Sequence, residues 1–217
     1  MANIVHRRTL LTGFGAAGLL SCGRVLPAKA AMLPDAPEAE IANGESLPQG
    51  MTSWSANQNI VVPNRFNGRP WALPIEAPNA GGVENIVYRV GDVYSHIATQ
   101  RISYLMRDIH EDVWSPIDPR LFDLLAWVQV ASGSDEPITL TSGYRTPRTE
   151  SRIFPHTPRM AKVSPHVHGM AADIRIRGVD PAWIRDAMLS LSAGGVGWYP
   201  RLKFVHVDTG PVRHWIG

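Results

Sequence analysis

Apolar residues recur at helical spacing in two places along the chain, each behind the same start signal. After Asp118-Pro119 the stripe is Leu121, Leu124, Leu125 and Val128; after Asp180-Pro181 it is Ile184, Ala187, Met188 and Leu191. An Asp that can cap free amides, followed by a Pro whose fixed φ suits the first helical position, marks a helix start. Both segments are therefore predicted helices with the stripe turned to a core, and Gly194-Gly195 is expected to stop the second. Three shorter runs read as strands: Ile138 to Ser142, Ala171 to Arg177 and Phe204 to Asp208. Alternation puts Ile174 and Ile176 on one face of the second run and Asp173 on the other. In the third run Val205 and Val207 oppose Phe204, His206 and Asp208. As antiparallel neighbours about 4.8 Å apart, these two strands would stand Asp173 beside His206, with the aliphatic residues against the helices. Asn85 to Tyr94 also alternates, with Ile86, Tyr88 and Val90 on one side, and predicts a strand or hairpin. The pattern predicts an α+β fold over residues 82–217: a small antiparallel sheet, helices on one face and an exposed polar site on the other.

Two further segments carry different signals. Residues 31–81 are rich in Pro, Asn, Gly and Ala, and Pro34, Pro37, Pro48, Pro63, Pro70, Pro74 and Pro78 interrupt any helix. This reads as an extended arm that packs partly on the domain through Trp54 and Trp71. Residues 1–30 read as an export signal. Arg7-Arg8 precede a moderately apolar run from Leu10 to Leu20, and Ala28-Lys29-Ala30 offers a small-x-small cleavage site. The paired arginines resemble a twin-arginine signal, which directs the protein to the periplasm. The run is short of the roughly 20 apolar residues of a spanning helix, so no transmembrane span is expected after processing. Leu19-Leu20-Ser21-Cys22-Gly23 competes as a lipoprotein box that would acylate Cys22. Cys22 is the only cysteine, so no intramolecular disulfide can form. The net charge of +2 is spread without a Lys/Arg block, which argues against a nucleic-acid partner.

The candidate chemistry sits where imidazoles and a carboxylate gather. Ser164-Pro165-His166-Val167-His168-Gly169-Met170-Ala171-Ala172-Asp173 is followed some thirty residues later by Phe204-Val205-His206-Val207-Asp208. Two His and one carboxylate are the ligand types of a catalytic zinc that keeps one position open for water. Gly169 and Ala171 suit a backbone that must turn tightly between ligands. Asp173 and His206, set among Ile and Val, would be costly to bury unless paired or metal-bound.

Ser164-x-His166-x-x-Gly169-x-Ala171-x-Asp173 resembles the signature of the M15 and related zinc peptidases of bacterial cell-wall peptides. This group includes D-alanyl-D-alanine carboxypeptidases, with a hedgehog-like fold, and murein endopeptidases. The similarity is greatest to the murein endopeptidase K-like subgroup, formerly DUF882. Ser142-Gly143-Tyr144-Arg145-Thr146-Pro147, Gly194-Gly195-Val196-Gly197-Trp198-Tyr199-Pro200 and the segment from Phe204 to Trp215 fit it too, so the resemblance spans roughly residues 82–217. It implies that His166, Asp173 and His206 ligate Zn2+ and that peptidoglycan peptides are the substrate. It also implies that Arg145 stabilises the oxyanion or holds a substrate carboxylate. Tyr144, Trp198 and Tyr199 are candidate substrate contacts.

The general base is unassigned. Carboxypeptidase-like relatives carry a Glu three positions before the last His, where this chain has Lys203; other relatives carry a His two positions before it, where this chain has Phe204. Asp208 lies two strand residues, roughly 6.6 Å, from His206. It is therefore read as a partner behind that ligand or a holder of the attacking water, with His168 a comparable candidate. The leading expectation is an exported zinc endopeptidase acting on peptide cross-links. A D-alanyl-D-alanine-type carboxypeptidase and a non-catalytic wall-binding module are the alternatives. A metal-free serine hydrolase is disfavoured, since neither Ser142-Gly143 nor Ser164-Pro165 forms a nucleophile elbow.

Overall fold

The computed structural model describes residues 62, 68–155 and 164–217, and among these prolines start three of the four helices. Helix α1 (His96–Leu105) is capped by Ser95, and α2 (Pro119–Ser132) by Asp118, whose side chain accepts from the Arg120 amide. Helix α3 (Pro147–Ile153) repeats the cap-plus-proline device with Thr146, and α4 (Pro181–Leu191) with Asp180. One boundary differs from expectation. Helix α4 ends at Ser192, which takes the left-handed conformation at φ 49°, and Gly195 opens a strand instead of stopping the helix. The expected leader with Arg7, Arg8 and Cys22, and most of the expected arm including Trp54, lie outside the described residues. Among the described residues no helix is long and apolar enough to cross a membrane.

Among the described residues eight strands form one sheet: β1 (Trp71–Ala77), β2 (Gly82–Val90), β3 (Val93–Tyr94), β4 (Ile138–Ser142), β5 (Ala171–Ile176), β6 (Gly195–Tyr199), β7 (Phe204–Asp208) and β8 (Arg213–Ile216). Their order is β3-β2-β1-β4-β5-β7-β6-β8. The α+β class holds, but the sheet is neither small nor purely antiparallel, because β1–β4 and β6–β8 pair in parallel. Parallel pairing needs a long crossover, and the hairpin, α1 and α2 supply one between β1 and β4. The end of the segment expected as an arm is itself β1. Its period-2 pattern buries Trp71, Leu73, Ile75 and Ala77. Pro74 obscures that pattern in sequence. It is tolerated because β1 pairs with β4 through Ile75 and Glu76 alone, so Pro74 stands outside that ladder.

The apolar face of the sheet, with Leu73, Ile75, Ile138, Ile174, Val205 and Val207, packs against α1, α2 and α4 through Ile102, Leu121, Leu125, Ile184 and Met188. Helix α3 stands on the opposite side, where Glu150 and Ile153 line a groove. A polar knot joins the hairpin to α2. The buried Asp123 carboxylate accepts from the Tyr88 hydroxyl at 2.9 Å, the Tyr94 hydroxyl at 2.5 Å and the Arg89 guanidinium at 2.6 Å. That guanidinium also lies 4.8 Å from the Trp71 ring centre and 5.1 Å from that of Tyr94. Burial pushes the Asp123 carboxyl above its ordinary value despite the three donors.

Removing one member of such a knot leaves the others buried without a partner. Asp123→Ala is expected to lower unfolding stability by about 3 kcal/mol. Asp123→Asn, which keeps an acceptor for the tyrosines, should cost less. Urea midpoints at unchanged slope are the measurement.

Candidate metal centre

One row of residues crosses the sheet and defines the site. Asp173 on β5 pairs with His206 on β7, His206 with Gly197 on β6, and Gly197 with Trp215 on β8. Because these positions are in register, their side chains emerge on the same face, opposite the helix-packed one. The third group, His166, comes from the turn that leads into β5. Gly169 makes that turn at φ +64°, where a Cβ would lie 2.4 Å from the Pro116 carbonyl oxygen, and its own carbonyl accepts from the Asp118 amide at 2.9 Å. A glycine is required there for both conformation and space.

Three donor atoms converge. His166 Nε2 lies 3.1 Å from His206 Nδ1, and Asp173 Oδ1 lies 2.9 Å from His206 Nδ1 and 3.3 Å from His166 Nε2. Ligands bound tetrahedrally at 2.0–2.1 Å stand about 3.3 Å apart, so the triangle has the edges a tetrahedral divalent ion requires. The far side of each ring fixes its tautomer. His166 Nδ1 donates to the Gly143 carbonyl at 2.6 Å, and His206 Nε2 donates to Asp208 Oδ2 at 2.9 Å. The lone pairs of the other two nitrogens then point inward at a carboxylate oxygen, a repulsive arrangement unless a positive charge is shared among the three. Burial pushes the His166 imidazole below its ordinary value, with the Arg145 guanidinium adding to the effect against the pull of Asp173. Burial acts the same way on His206, but its hydrogen bonds to Asp173 and Asp208 outweigh it and leave that ring raised.

The carboxylates are held from behind. Asp208 is fully buried and accepts from the Gly195 amide at 3.0 Å, the Gly210 amide at 2.8 Å and the Arg213 guanidinium at 2.7 Å, besides His206. Burial alone would raise its pKa, but His206 and Arg213 hold it well below the usual carboxylate range. With its oxygens occupied and no solvent access, Asp208 orients His206 and has no face left for a water molecule. Arg145 also differs from expectation. Its guanidinium is committed to Asp173 Oδ2 at 2.5 Å, Glu150 Oε2 at 3.1 Å and Ser142 Oγ at 2.8 Å, so it braces a ligand instead of facing a substrate.

Nor is the site exposed. His166, Asp173 and His206 are 3%, 4% and 5% accessible and lie in the floor of a groove of about 820 Å³. Of the expected substrate contacts, Tyr199 lines this groove, its ring stacked on Phe204 at 4.5 Å and its hydroxyl accepting from Trp215 Nε1 at 3.0 Å. Trp198 does not line it: it packs toward the core, with the Arg185 guanidinium of α4 over its ring at 4.3 Å. Alternation along β6 sends Trp198 and Tyr199 to opposite faces. Tyr144 lines a neighbouring cavity beside Asp108 and Ile109. His168, half-buried in the turn, is not among the groove residues. Lys203 is an exposed turn residue at φ 57°, away from the groove wall.

Some parts of the site escape sequence reasoning. Glu150 behind Arg145 was signalled only by Thr146-Pro147, the third instance of a helix start read twice elsewhere. Trp215, 5.0 Å from the His206 ring, and Arg213 lie in the segment from Phe204 to Trp215, where no local pattern assigns either a role. The Gly143 carbonyl that orients His166 has no sequence signature.

Residues 68–215 match the family model described as Peptidoglycan L,D-endopeptidase MepK, of the M15 peptidases. The chain is 38% identical over 147 residues to the Peptidoglycan L,D-endopeptidase MepK of Escherichia coli K12, covering 68% of this chain and 81% of that protein. It is 34% identical over 160 residues to the Probable peptidoglycan L,D-endopeptidase MepK of Haemophilus influenzae, covering 73% and 86%. No solved structure matches.

The geometry sets expectations for ion binding. Asp208→Asn keeps the inward lone pairs but loosens the hold on His206, and should lower divalent-ion affinity about 10–100-fold, read by competition with a chromogenic chelator. Affinity should also fall with acid. The raised His206 ring keeps its proton above the ordinary imidazole value of about 6.5, and an entering ion must displace it. Titration from about pH 8 to about pH 5.5 should record proton release and weakening binding.

Proposed function

Since the chain belongs to the Peptidoglycan L,D-endopeptidase MepK family of M15 peptidases, we propose that it is an exported zinc metallopeptidase hydrolysing peptide cross-links of bacterial peptidoglycan. The observation that carries the proposal is the inward-facing triangle of His166 Nε2, His206 Nδ1 and Asp173 Oδ1. Its two-nitrogen, one-oxygen donor set suits zinc with an open fourth position. A zinc ion held there supplies Lewis acidity and lowers the pKa of a bound water to about 7.

The protein's own contribution is positional. Asp208 and the Gly143 carbonyl hold the two rings in their ligating tautomers. Arg145 neutralises the outer oxygen of Asp173 and is itself fixed by Glu150. Tyr199, Phe204, Leu202 and Trp215 give the groove an apolar wall on which a peptide can lie. The Tyr199 hydroxyl accepts from Trp215 and keeps its proton for a substrate carbonyl. An endopeptidase is favoured over a carboxypeptidase by the names of the relatives. The arm and the twin-arginine-like leader complete the proposal: substrate of this kind lies outside the cytoplasm, and residues 1–30 have the anatomy of an export signal.

A non-catalytic wall-binding module is the second reading, favoured by Lys203 standing where carboxypeptidase-like relatives carry their base. Purified cross-linked muropeptides separate the two. The expected outcome is cleavage that a chelator abolishes and zinc restores, with His206→Ala reducing turnover at least about 1,000-fold, as loss of a ligand should. Zinc-independent wall binding without any cleavage product would favour the module instead.

A further inference from the structure

Strand β5 sends two charged side chains to the groove from one face: Asp173 and, two residues on, Arg175. The other groove-lining guanidiniums are engaged. Arg145 is bound to Asp173, Glu150 and Ser142, and Arg213 is bound through both terminal nitrogens to Asp208. Arg175 is exposed and makes no hydrogen bond or ion pair among the described residues. Its cross-strand neighbour Thr139 gives its hydroxyl to Glu76 at 2.7 Å, on the side away from the groove's apolar wall. An uncommitted guanidinium at the edge of an otherwise charge-paired groove is a fork of donors matched to a carboxylate.

We propose that Arg175 is a specificity-determining residue that binds a free carboxylate of the peptide substrate. The inference rests on the peptidase reading above. Two strand residues separate the Cα atoms of Asp173 and Arg175 by roughly 6.6 Å, and an extended peptide advances roughly 3.3–3.6 Å per residue. The carboxylate recognised therefore belongs to a substrate residue within about two positions of the scissile bond. Leu202, Phe204 and Tyr199 face the same groove and present apolar surface to the remainder of that residue. Selection of an anionic peptide is thereby assigned to a side chain that bears no load in holding the centre itself.

The test uses the full chain and two cross-linked peptides identical except that the carboxylate flanking the scissile bond is a carboxamide in one. Wild type is expected to favour the carboxylate peptide about tenfold in kcat/KM, the worth of one solvent-accessible charge-assisted hydrogen bond. Arg175→Ala should bring that ratio near one, and Arg175→Lys, a charge without the fork, should leave it in between. Arg177→Ala, which removes an exposed arginine paired with Glu136, should keep the wild-type ratio. A wild-type ratio of one, or an unchanged ratio in Arg175→Ala, overturns the assignment while leaving the peptidase reading standing. Binding of both peptides is measured in parallel by calorimetry. A carboxylate preference that Arg175→Ala abolishes, without cleavage by any variant, supports the subsite and defeats the peptidase reading. Absence of both cleavage and binding defeats both.

Discussion

Three lone pairs aimed at one point are the constraint around which this molecule is organised. Two imidazole nitrogens and a carboxylate oxygen at 2.9–3.3 Å repel one another unless a proton or a metal ion sits among them, and in a buried site that repulsion is weakly screened. The surroundings hold them together regardless. Asp208 and the Gly143 carbonyl take up the ring protons on the far sides, so neither histidine can relieve the strain by exchanging tautomers. Arg145 and Arg213 neutralise the outer carboxylate oxygens. With both imidazoles neutral, as ligation requires, Asp173, Glu150 and Asp208 set against these two guanidiniums leave the cluster with one surplus negative charge, which favours a divalent cation over an anion or a neutral guest.

The sheet supplies the precision that this arrangement demands. Antiparallel pairing of Asp173 with His206 fixes their separation by backbone hydrogen bonds, and a slip of one residue in either strand would turn that strand's ligand toward the core. The core prevents the slip, because Ile174, Val205 and Val207 are wholly buried on the other face. The same row shapes the groove wall. A Cβ on Gly197 would meet the Trp215 ring at 2.5 Å, so the glycine lets the indole cross β6 and reach His206. Apolar packing on one face and the spacing of the donor atoms on the other are thus two consequences of a single register.

What was legible in the sequence follows the strength of local signals. Asp118-Pro119 and Asp180-Pro181 marked helix starts because cap and proline act within one turn. The alternation in Phe204–Asp208 gave the correct faces because period 2 admits no other reading once Val205 and Val207 are core. The gathering of His166, Asp173 and His206 was legible only because two of them lie on strands whose pairing could be guessed. Elements whose logic is non-local stayed hidden. Strand β1 looked irregular because Pro74 is acceptable only where no second ladder exists, which depends on how far β4 extends. Two of the five residues of strand β6 are glycines, which answer to Asp208 and Trp215 from later in the chain. The knot at Asp123 draws on residues 29 to 35 positions away, beyond any local pattern.

Arg145 illustrates why position in a motif does not determine a role. Beside a metal centre an arginine can face the substrate or brace a ligand, and sequence alone treats these as equivalent. Here its side chain is only 12% exposed and bonded on every edge. Turning it toward a substrate would leave the buried Asp173 and Glu150 carboxylates without that partner, at a cost of several kcal/mol by the usual penalty for breaking buried pairs. A single substrate carboxylate in a solvated groove returns about 1–3 kcal/mol. The exchange is unfavourable, so Arg145 stays with Asp173, and the proposed recognition of substrate charge is left to a cation that braces no ligand.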